Sequence, residues 1–413
     1  MNIESRAMFY GIGTYTRQLI NALKTASIQI TLVTLYNDNC AEMTVYHNDK
    51  VRYINIPKPS MTDYQKIYFT KEDNSYQTGA YYNLLSFIPT NEEIYFHFNF
   101  MELSHIALLF KKNHKYTIIL TVHFTFWSLE LLGDVFKLNK IIDQPTNEWE
   151  GRIQKSFLNE KLFLNEIADH IIAIANHSAE MMHNLYKVND AKITIIPNGL
   201  EDYSKVWTNQ DKIKIRERFC IKENEKILLF VGRLTPVKGI GELIEAYKLV
   251  LEQLTDVRLI IVGEGSEKDL KYYLKQCFPI WAKVIFTGFI PKDILLELYA
   301  IANIGLVPSI YEEFGFVAVE MMRAGLPVIV NSTTGLNEIV DDNINGTFVK
   351  LERDCLESFK LFSFKIVSLL QNNKMLDKYA HNGRKKFMER YTSLCFCEHI
   401  MSFYKKANNK QKK

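Results

Sequence analysis

Two carboxylates, Glu312 and Glu320, flank a Phe314-Gly315 turn in the stretch YEEFGFVAVE, with seven residues between them. One falls in a loop and the other just over a turn into a helix. Carboxylates accept hydrogen bonds, so a pair so placed suits a hydroxyl-rich ligand. Helix-dipole complementarity, at ~0.3–1 kcal/mol per residue, also accounts for acidic residues at a helix start. It explains the neighbouring Glu313 equally well, and Glu313, lacking the spacing, is expected to be dispensable.

A second constellation lies in FVGRLTPVKGIGELIEAY, where Arg233 and Lys238 occupy a Gly-bounded loop between an apolar strand and a helix beginning near Ile240. Two cations beside free helix N–H groups form a receptor for a diphosphate, Arg gripping oxygens as a fork and Lys adding a point charge. A solvated loop with surface cations is the competing reading. Hydride chemistry is set aside, because neither this loop nor Gly11-Ile12-Gly13 continues to a third glycine at the dinucleotide spacing. In IVGEGSEKDL, Gly263 and Gly265 end a buried strand; turn geometry explains them, as does bordering the same crevice as Arg233.

His97 in YFHFNF and His123 in TVHFTFW stand at or near carboxyl ends of strands. Each is either a hydrogen-bonded core residue or a group facing a ligand. The loop HFTFWSLELLG, with Phe124, Phe126 and Trp127, either stacks on a sugar or lipid or belongs to the core. No Asp-x-Asp, no metal-spaced histidine cluster, no Gly-x-Ser-x-Gly and no Walker-type loop occurs, so no catalytic metal is implied.

These residues need a frame that gathers strand ends. Short β-branched and aromatic runs alternate with helical stretches, the pattern of parallel sheets with crossover helices. Strands are expected at 28–36, 51–56, 93–98, 117–124, 170–175 and 193–197, then at 226–232, 258–263, 283–288, 303–308 and 327–331. Both halves read as doubly wound α/β units. The boundary falls near residue 203, giving a first domain at 1–202, a second at 203–385 and a terminal helix with basic tail at 386–413.

The amino terminus is unusual. A Gly-rich turn such as GIGTYTRQLI normally follows the first strand of a doubly wound domain, yet only MNIESRAMFY precedes it. Either a brief strand lies within 5–10, or the natural chain starts upstream of Met1; the second is the expectation.

Composition fits an ordinary globular protein: 413 residues, 47% hydrophobic, 23% charged, net charge +3. That charge is too slight to argue for nucleic acid. Lys405, Lys406, Lys410, Lys412 and Lys413 form a basic tail, either a frayed end or a dock for an anionic membrane surface. No apolar run reaches the ~18 residues of a membrane span, and the first residues lack a signal-peptide core, so a cytosolic protein, peripheral at most to the membrane, is expected. The six scattered cysteines read as reduced thiols.

The motifs GRLTPVKG, VGEGS, FTGFI, PSIYEEFGFVAVEMMRAGLPVIV and GLNEIV resemble, in order, the second domain of retaining glycosyltransferases of family 4, which have the GT-B fold. GIGTYTRQLI, FHF, TVHF, ADHIIAIA and IPNGL match the first domain more loosely. The resemblance implies two Rossmann-like domains facing a cleft and a UDP- or GDP-sugar donor bound mainly by the second, with no metal. Arg233 and Lys238 would hold the diphosphate and stabilise the leaving group. Glu320 would take the ribose hydroxyls and Glu312 those of the transferred hexose. Phe289 and Ile290 would border the base; Gly265, Phe314, Gly315 and Phe316 would line the donor; Gly11 and Gly13 would approach the diphosphate from the first domain. His123 would sit beside the reacting centre, with His97 and Trp127 on the acceptor side.

Retention in this family is described as front-face departure and attack, the leaving diphosphate helping to deprotonate the acceptor. No carboxylate nucleophile is needed, unlike the paired carboxylates of glycoside hydrolysis. Ala175 stands where the family often has serine, and Phe124 where Asp often follows the histidine. The implied acceptor is a glycan, a lipid-linked sugar or a peptide, as in polysaccharide biosynthesis. A GT-B epimerase or phosphorylase and a non-catalytic sugar-binding partner are the alternative readings.

Overall fold

The computed structural model describes residues 2–3, 11–26, 28–59, 70–89, 92–114, 116–203 and 205–411. A brief strand within 5–10 therefore lies outside the described residues. The chain divides into two units: Met1–Gly199 together with Ser393–Lys413, and Leu200–Thr392. The last helix, Ser393–Gln411, belongs to the first unit because Phe396, Ile400 and Phe403 bury against Tyr15, Leu19, Ile119 and Ile172. The division thus falls at Gly199 and again at Thr392, where the expectation was near 203 and 385.

Among the described residues the first unit holds two four-stranded sheets. One is built from β1 (Asn2–Ile3), β2 (Ile30–Asn37), β3 (Thr44–Asn48) and β4 (Val51–Pro57), in the order β1-β2-β4-β3. The other contains β5 (Tyr95–Phe98), β6 (Thr117–Val122), β7 (His170–Ala173) and β8 (Ile193–Ile195), parallel and in sequence order. Every residue of β6 is buried, as expected for a strand covered on both faces. Ile119 packs with the Gly11–Lys24 and Ser393–Gln411 helices, whereas Ile118 and Leu120 pack with Leu84 and Phe110. β3 was not expected. It pairs antiparallel with β4 through a turn in which Asp49 and Lys50 both have positive φ, without the glycine that usually signals such a hairpin.

The second unit is a six-stranded parallel sheet in the order β11-β10-β9-β12-β13-β14. Its strands are β9 (Lys226–Val231), β10 (Val257–Val262), β11 (Val284–Gly288), β12 (Ile304–Val307), β13 (Val328–Asn331) and β14 (Thr347–Val349). From β9 the chain winds outward through β10 and β11, then returns to β12 on the opposite side of β9. The strand order therefore reverses between β9 and β12, where the loops leaving the two carboxyl ends diverge and open a crevice. The loop after β9 carries Arg233 and Lys238, and the loop after β12 carries Glu312.

Candidate active site

The β9 loop ends in a single 3₁₀ turn, Pro236–Lys238, capped by Gly239 at φ +66° before the helix Ile240–Leu251. A Cβ at Gly239 would lie 2.0 Å from the carbonyl oxygen of Pro308, so only glycine lets this loop press onto the end of β12. The loops are also stitched by Ile310 N–H, which donates to the Val237 carbonyl at 2.8 Å. Leu234 anchors the loop from below at 2% exposure, while Arg233 is exposed on its outer side. Gly265 meets the same loop: a Cβ there would stand 2.5 Å from the Leu234 carbonyl oxygen. Close backbone approach thus explains that glycine, beyond turn geometry.

Across the switch point, Lys238 Nζ lies 2.6 Å from Glu312 Oε2, with both side chains about four-fifths buried (21% and 18% exposed). The spacing assigned these two groups to different parts of a ligand; here they pair with each other. The Glu312 main chain is fixed independently, its carbonyl accepting from Gly335 N–H at 2.9 Å and from the Thr334 hydroxyl. Gly315, at φ +97°, starts the helix Phe316–Arg323. Its first N–H groups are therefore open to an anion beside Lys238 and Glu312.

Glu320 is half-buried on that helix, and its Oε2 accepts from the Tyr299 hydroxyl at 3.0 Å. Burial, reinforced by the neighbouring carboxylate, pushes the Tyr299 pKa well above that of a free phenol, so the hydroxyl stays a donor. Two expectations change here. Phe314 is 5% exposed and packs edge-on against Phe316 and Tyr391, so its ring belongs to the core and not to a ligand wall. Glu313 is 6% exposed, and its Oε2 accepts from Tyr311 at 2.6 Å; it is a buried structural carboxylate, and removing it would leave Tyr311 without that partner. Phe289 is 60% exposed and Ile290 half-buried, beyond the turn at Gly288 that closes β11.

In the first unit, His123 follows β6 and is 7% exposed. Its Nε2 lies 3.1 Å from Asn99 Oδ1, which makes Nε2 the protonated nitrogen, and the ring meets Tyr15 edge-on at 4.6 Å. Burial pushes the His123 pKa down to about 3, so the imidazole is neutral at physiological pH. It borders a small pocket with Asn99, Phe124, Phe126 and Glu160. Gly11 and Gly13 open the helix Gly11–Lys24, with Gly13 buried.

Both residues expected on the acceptor side are bonded within the first unit. Both nitrogens of His97 are engaged, Nδ1 with the Tyr404 hydroxyl and Nε2 with the Thr121 hydroxyl, each at 2.7 Å. Burial holds its pKa well below the ordinary value, and the half-buried ring is committed to these two partners. Trp127 is 2% exposed and donates from Nε1 to the Tyr186 hydroxyl at 2.9 Å, which removes it from any ligand surface.

Beneath the His123 loop lies Glu160, 2% exposed, which the sequence reading missed. Its Oε1 accepts from Phe126 N–H at 2.8 Å, and its Oε2 accepts from the Tyr186 hydroxyl. Burial raises this carboxyl to about 7. Its signal was positional: on the helix Glu148–Leu162, Glu160 shares the buried stripe of Ile153, Ser156 and Phe157. Among the described residues no helix is long and apolar enough to cross a membrane.

Two family models match the chain, Glycosyltransferase Family 4 over residues 9–202 and Glycosyl transferases group 1 over residues 211–386. An uncharacterized glycosyltransferase of Methanocaldococcus jannaschii is 32% identical over 243 residues, 57% of this chain and 60% of that protein. A capsular polysaccharide biosynthesis glycosyltransferase of Staphylococcus aureus is 27% identical over 261 residues, 60% of this chain and 64% of that protein. The match thus spans less than two thirds of either relative. Among solved structures, sucrose-phosphate synthase from Thermosynechococcus elongatus aligns with TM-score 0.78 at 19% identity, covering 99% of this chain and 98% of that one. Anabaena HepE in complex with UDP and glucose aligns with TM-score 0.72 at 17% identity, covering 98% of both chains. Both likenesses establish the GT-B fold. With residues 9–202 matched by one family model and residues 211–386 by the other, the chain belongs to the group 1 glycosyltransferases of family 4.

Proposed function

We propose that this protein is a retaining glycosyltransferase that moves a hexose from a UDP- or GDP-sugar to a hydroxyl of a glycan, lipid-linked or peptide acceptor. The observation that carries the reading is the Lys238–Glu312 pair at the switch point, beside the open amino end of the helix Phe316–Arg323. A diphosphate arriving there takes Lys238 and Arg233 as cationic partners and the helix N–H groups as donors. Glu312, released from Lys238, accepts from the hydroxyls of the transferred sugar. Glu320, held by Tyr299, accepts from the ribose.

Charge develops on the diphosphate as the glycosidic bond breaks, and fixed cations stabilise it most where water is scarce. The acceptor hydroxyl attacks the anomeric carbon from the face the diphosphate leaves, giving its proton to the departing oxygen, so configuration is retained with no protein carboxylate as nucleophile. HepE was solved with UDP, with UDP and glucose and with UDP-glucose, and the Staphylococcus aureus relative is named for capsular polysaccharide biosynthesis; both support a nucleotide-sugar donor and a glycan product.

The test is proton NMR of the product formed from a panel of α-linked UDP- and GDP-hexoses with glycan, lipid-linked and peptide acceptors. An axial anomeric configuration in the product is expected. An inverted product, or free sugar and nucleotide alone with every donor and acceptor, overturns the reading.

A further inference from the structure

A cavity of about 350 Å³ lies within the second unit, at the lower end of the ~300–1,000 Å³ usual for small-molecule sites. Tyr203, Lys205 and Trp207, which precede the helix Asn209–Arg218, line one side. Leu296 of the helix Lys292–Ile301, Arg323 and Arg384 line the other. Arg323 is the last residue of the helix Phe316–Arg323, which runs back from the carboxyl edge of the sheet. The cavity therefore lies toward the amino edge, and neither Lys238 nor Glu312 lines it.

Three cations and no carboxylate line this space. Arg384 is neutralised, since its Nη1 and Nη2 donate to the two oxygens of Asp202 at 2.6 Å each. Its Nη1 also donates to the Arg323 carbonyl at 3.0 Å, so that helix end is answered without the Arg323 side chain. Arg323 is 7% exposed. Among the described residues its guanidinium has one hydrogen-bond acceptor, the Glu201 carbonyl at 3.0 Å from Nη1, and it lies 4.9 Å from the centroid of the Tyr203 ring. Neither contact brings a negative charge, and the Glu201 carboxylate itself accepts from the Tyr203 hydroxyl at 2.8 Å. A guanidinium buried to this degree is costly until a counter-charge meets it.

Lys205 can join Arg323. Its side chain is exposed, with Nζ 3.8 Å from the centroid of the Trp207 ring, and a flexible four-carbon stem lets the ammonium leave that ring for a stronger partner. The departure uncovers an indole face beside the apolar wall at Leu296.

We propose that this cavity binds a phosphorylated sugar, a phosphate monoester on a body the size of one pyranose ring, at a site separate from the crevice. Arg323 meets the phosphate oxygens with the N–H groups that have no protein acceptor, and Lys205 pairs with the same dianion. Trp207 and Leu296 cover the C–H face of the ring. Inorganic phosphate engages only the cations and an unphosphorylated sugar only the apolar wall, so the two parts together set the selectivity.

Titration calorimetry with glucose 1-phosphate, glucose 6-phosphate and mannose 6-phosphate tests this, with inorganic phosphate and glucose as references. At least one hexose phosphate is expected to bind about tenfold or more tightly than either reference. Arg323→Met is expected to weaken it about tenfold, by loss of a charged hydrogen bond to phosphate. Lys205→Ala, a change confined to an exposed side chain, is expected to weaken it about threefold or more with the fold unaltered. Lys238→Ala, a change in the crevice, is expected to leave it unchanged. The proposal is overturned if none of the three binds, if inorganic phosphate binds as tightly, if Lys205→Ala leaves the affinity unaltered, or if Lys238→Ala abolishes it and so places the binding in the crevice.

Discussion

Lys238 Nζ lies 2.6 Å from Glu312 Oε2, a cation and a carboxylate brought together across 74 positions of sequence because β9 and β12 are neighbours in the sheet. On the proposed reading, a nucleotide diphosphate that binds Lys238 draws the ammonium away from that carboxylate, so the pair would compete with free nucleotide while assisting a donor that also brings sugar hydroxyls.

Glu312→Ala is expected to bind free UDP or GDP about fivefold more tightly, since a partly exposed pair contributes ~1 kcal/mol or less. The same variant loses affinity for the full nucleotide sugar, whose hydroxyls have no acceptor. Calorimetric titration with both ligands checks this; weaker binding of the free nucleotide contradicts it.

Tyr299→Phe removes the hydroxyl that holds Glu320, a hydrogen bond to a charged group worth ~1.5–3 kcal/mol. Nucleotide affinity is expected to fall roughly tenfold, and Tm to fall with the loss of that bond. A 2′,3′-dideoxynucleotide, which offers Glu320 no hydroxyl, should bind wild type and variant alike.

Which parts of this site could be read from the sequence follows from how far each relationship reaches. Arg233, Lys238, Glu312 and Glu320 stand out in the sequence as candidates because residue type, spacing and a position after an apolar strand coincide within short stretches. Their pairing was not, because it depends on strand order. Trp127 and His97 were misplaced for a related reason. Trp127 lies on the short helix Phe126–Glu130 and His97 within β5, where a ligand group and a core group carry the same local signal, and only the remote partners Tyr186, Tyr404 and Thr121 decide between them. β14 has three residues, too short for a period, and β3 follows a hairpin turn without glycine. Both escaped strand reading.

Trp127→Phe is expected to lower stability by ~1–3 kcal/mol, through lost packing and an unpaired Tyr186 hydroxyl, and to leave the acceptor KM unchanged. Urea unfolding together with acceptor kinetics separates the two effects. A raised KM at unaltered stability would restore Trp127 to the acceptor site.

Glu160 makes stability depend on pH. Its folded pKa is raised to about 7 from 4.5, so between those values the folded state holds a proton that the unfolded state releases. Stability from this group is complete below about pH 4.5 and is lost as pH rises through about 7, by up to ~3 kcal/mol. His123 has the opposite sign: its lowered pKa favours the fold above the ordinary histidine value of 6.5, a contribution lost as pH falls toward about 3. Comparing Glu160→Gln with wild type cancels the histidine term. The variant is expected to gain stability relative to wild type from pH 5 to about pH 7; parallel melting curves would refute the buried carboxyl.

The central claim is that the Arg233 and Lys238 loop receives a nucleotide diphosphate. Isothermal titration of wild type, Arg233→Ala and Lys238→Ala with a panel of UDP- and GDP-sugars tests it most directly. At least one donor is predicted to bind the wild type and to lose about tenfold or more in affinity with each variant, as expected when a charged hydrogen bond to phosphate is removed. Affinities unchanged by both substitutions would contradict the account.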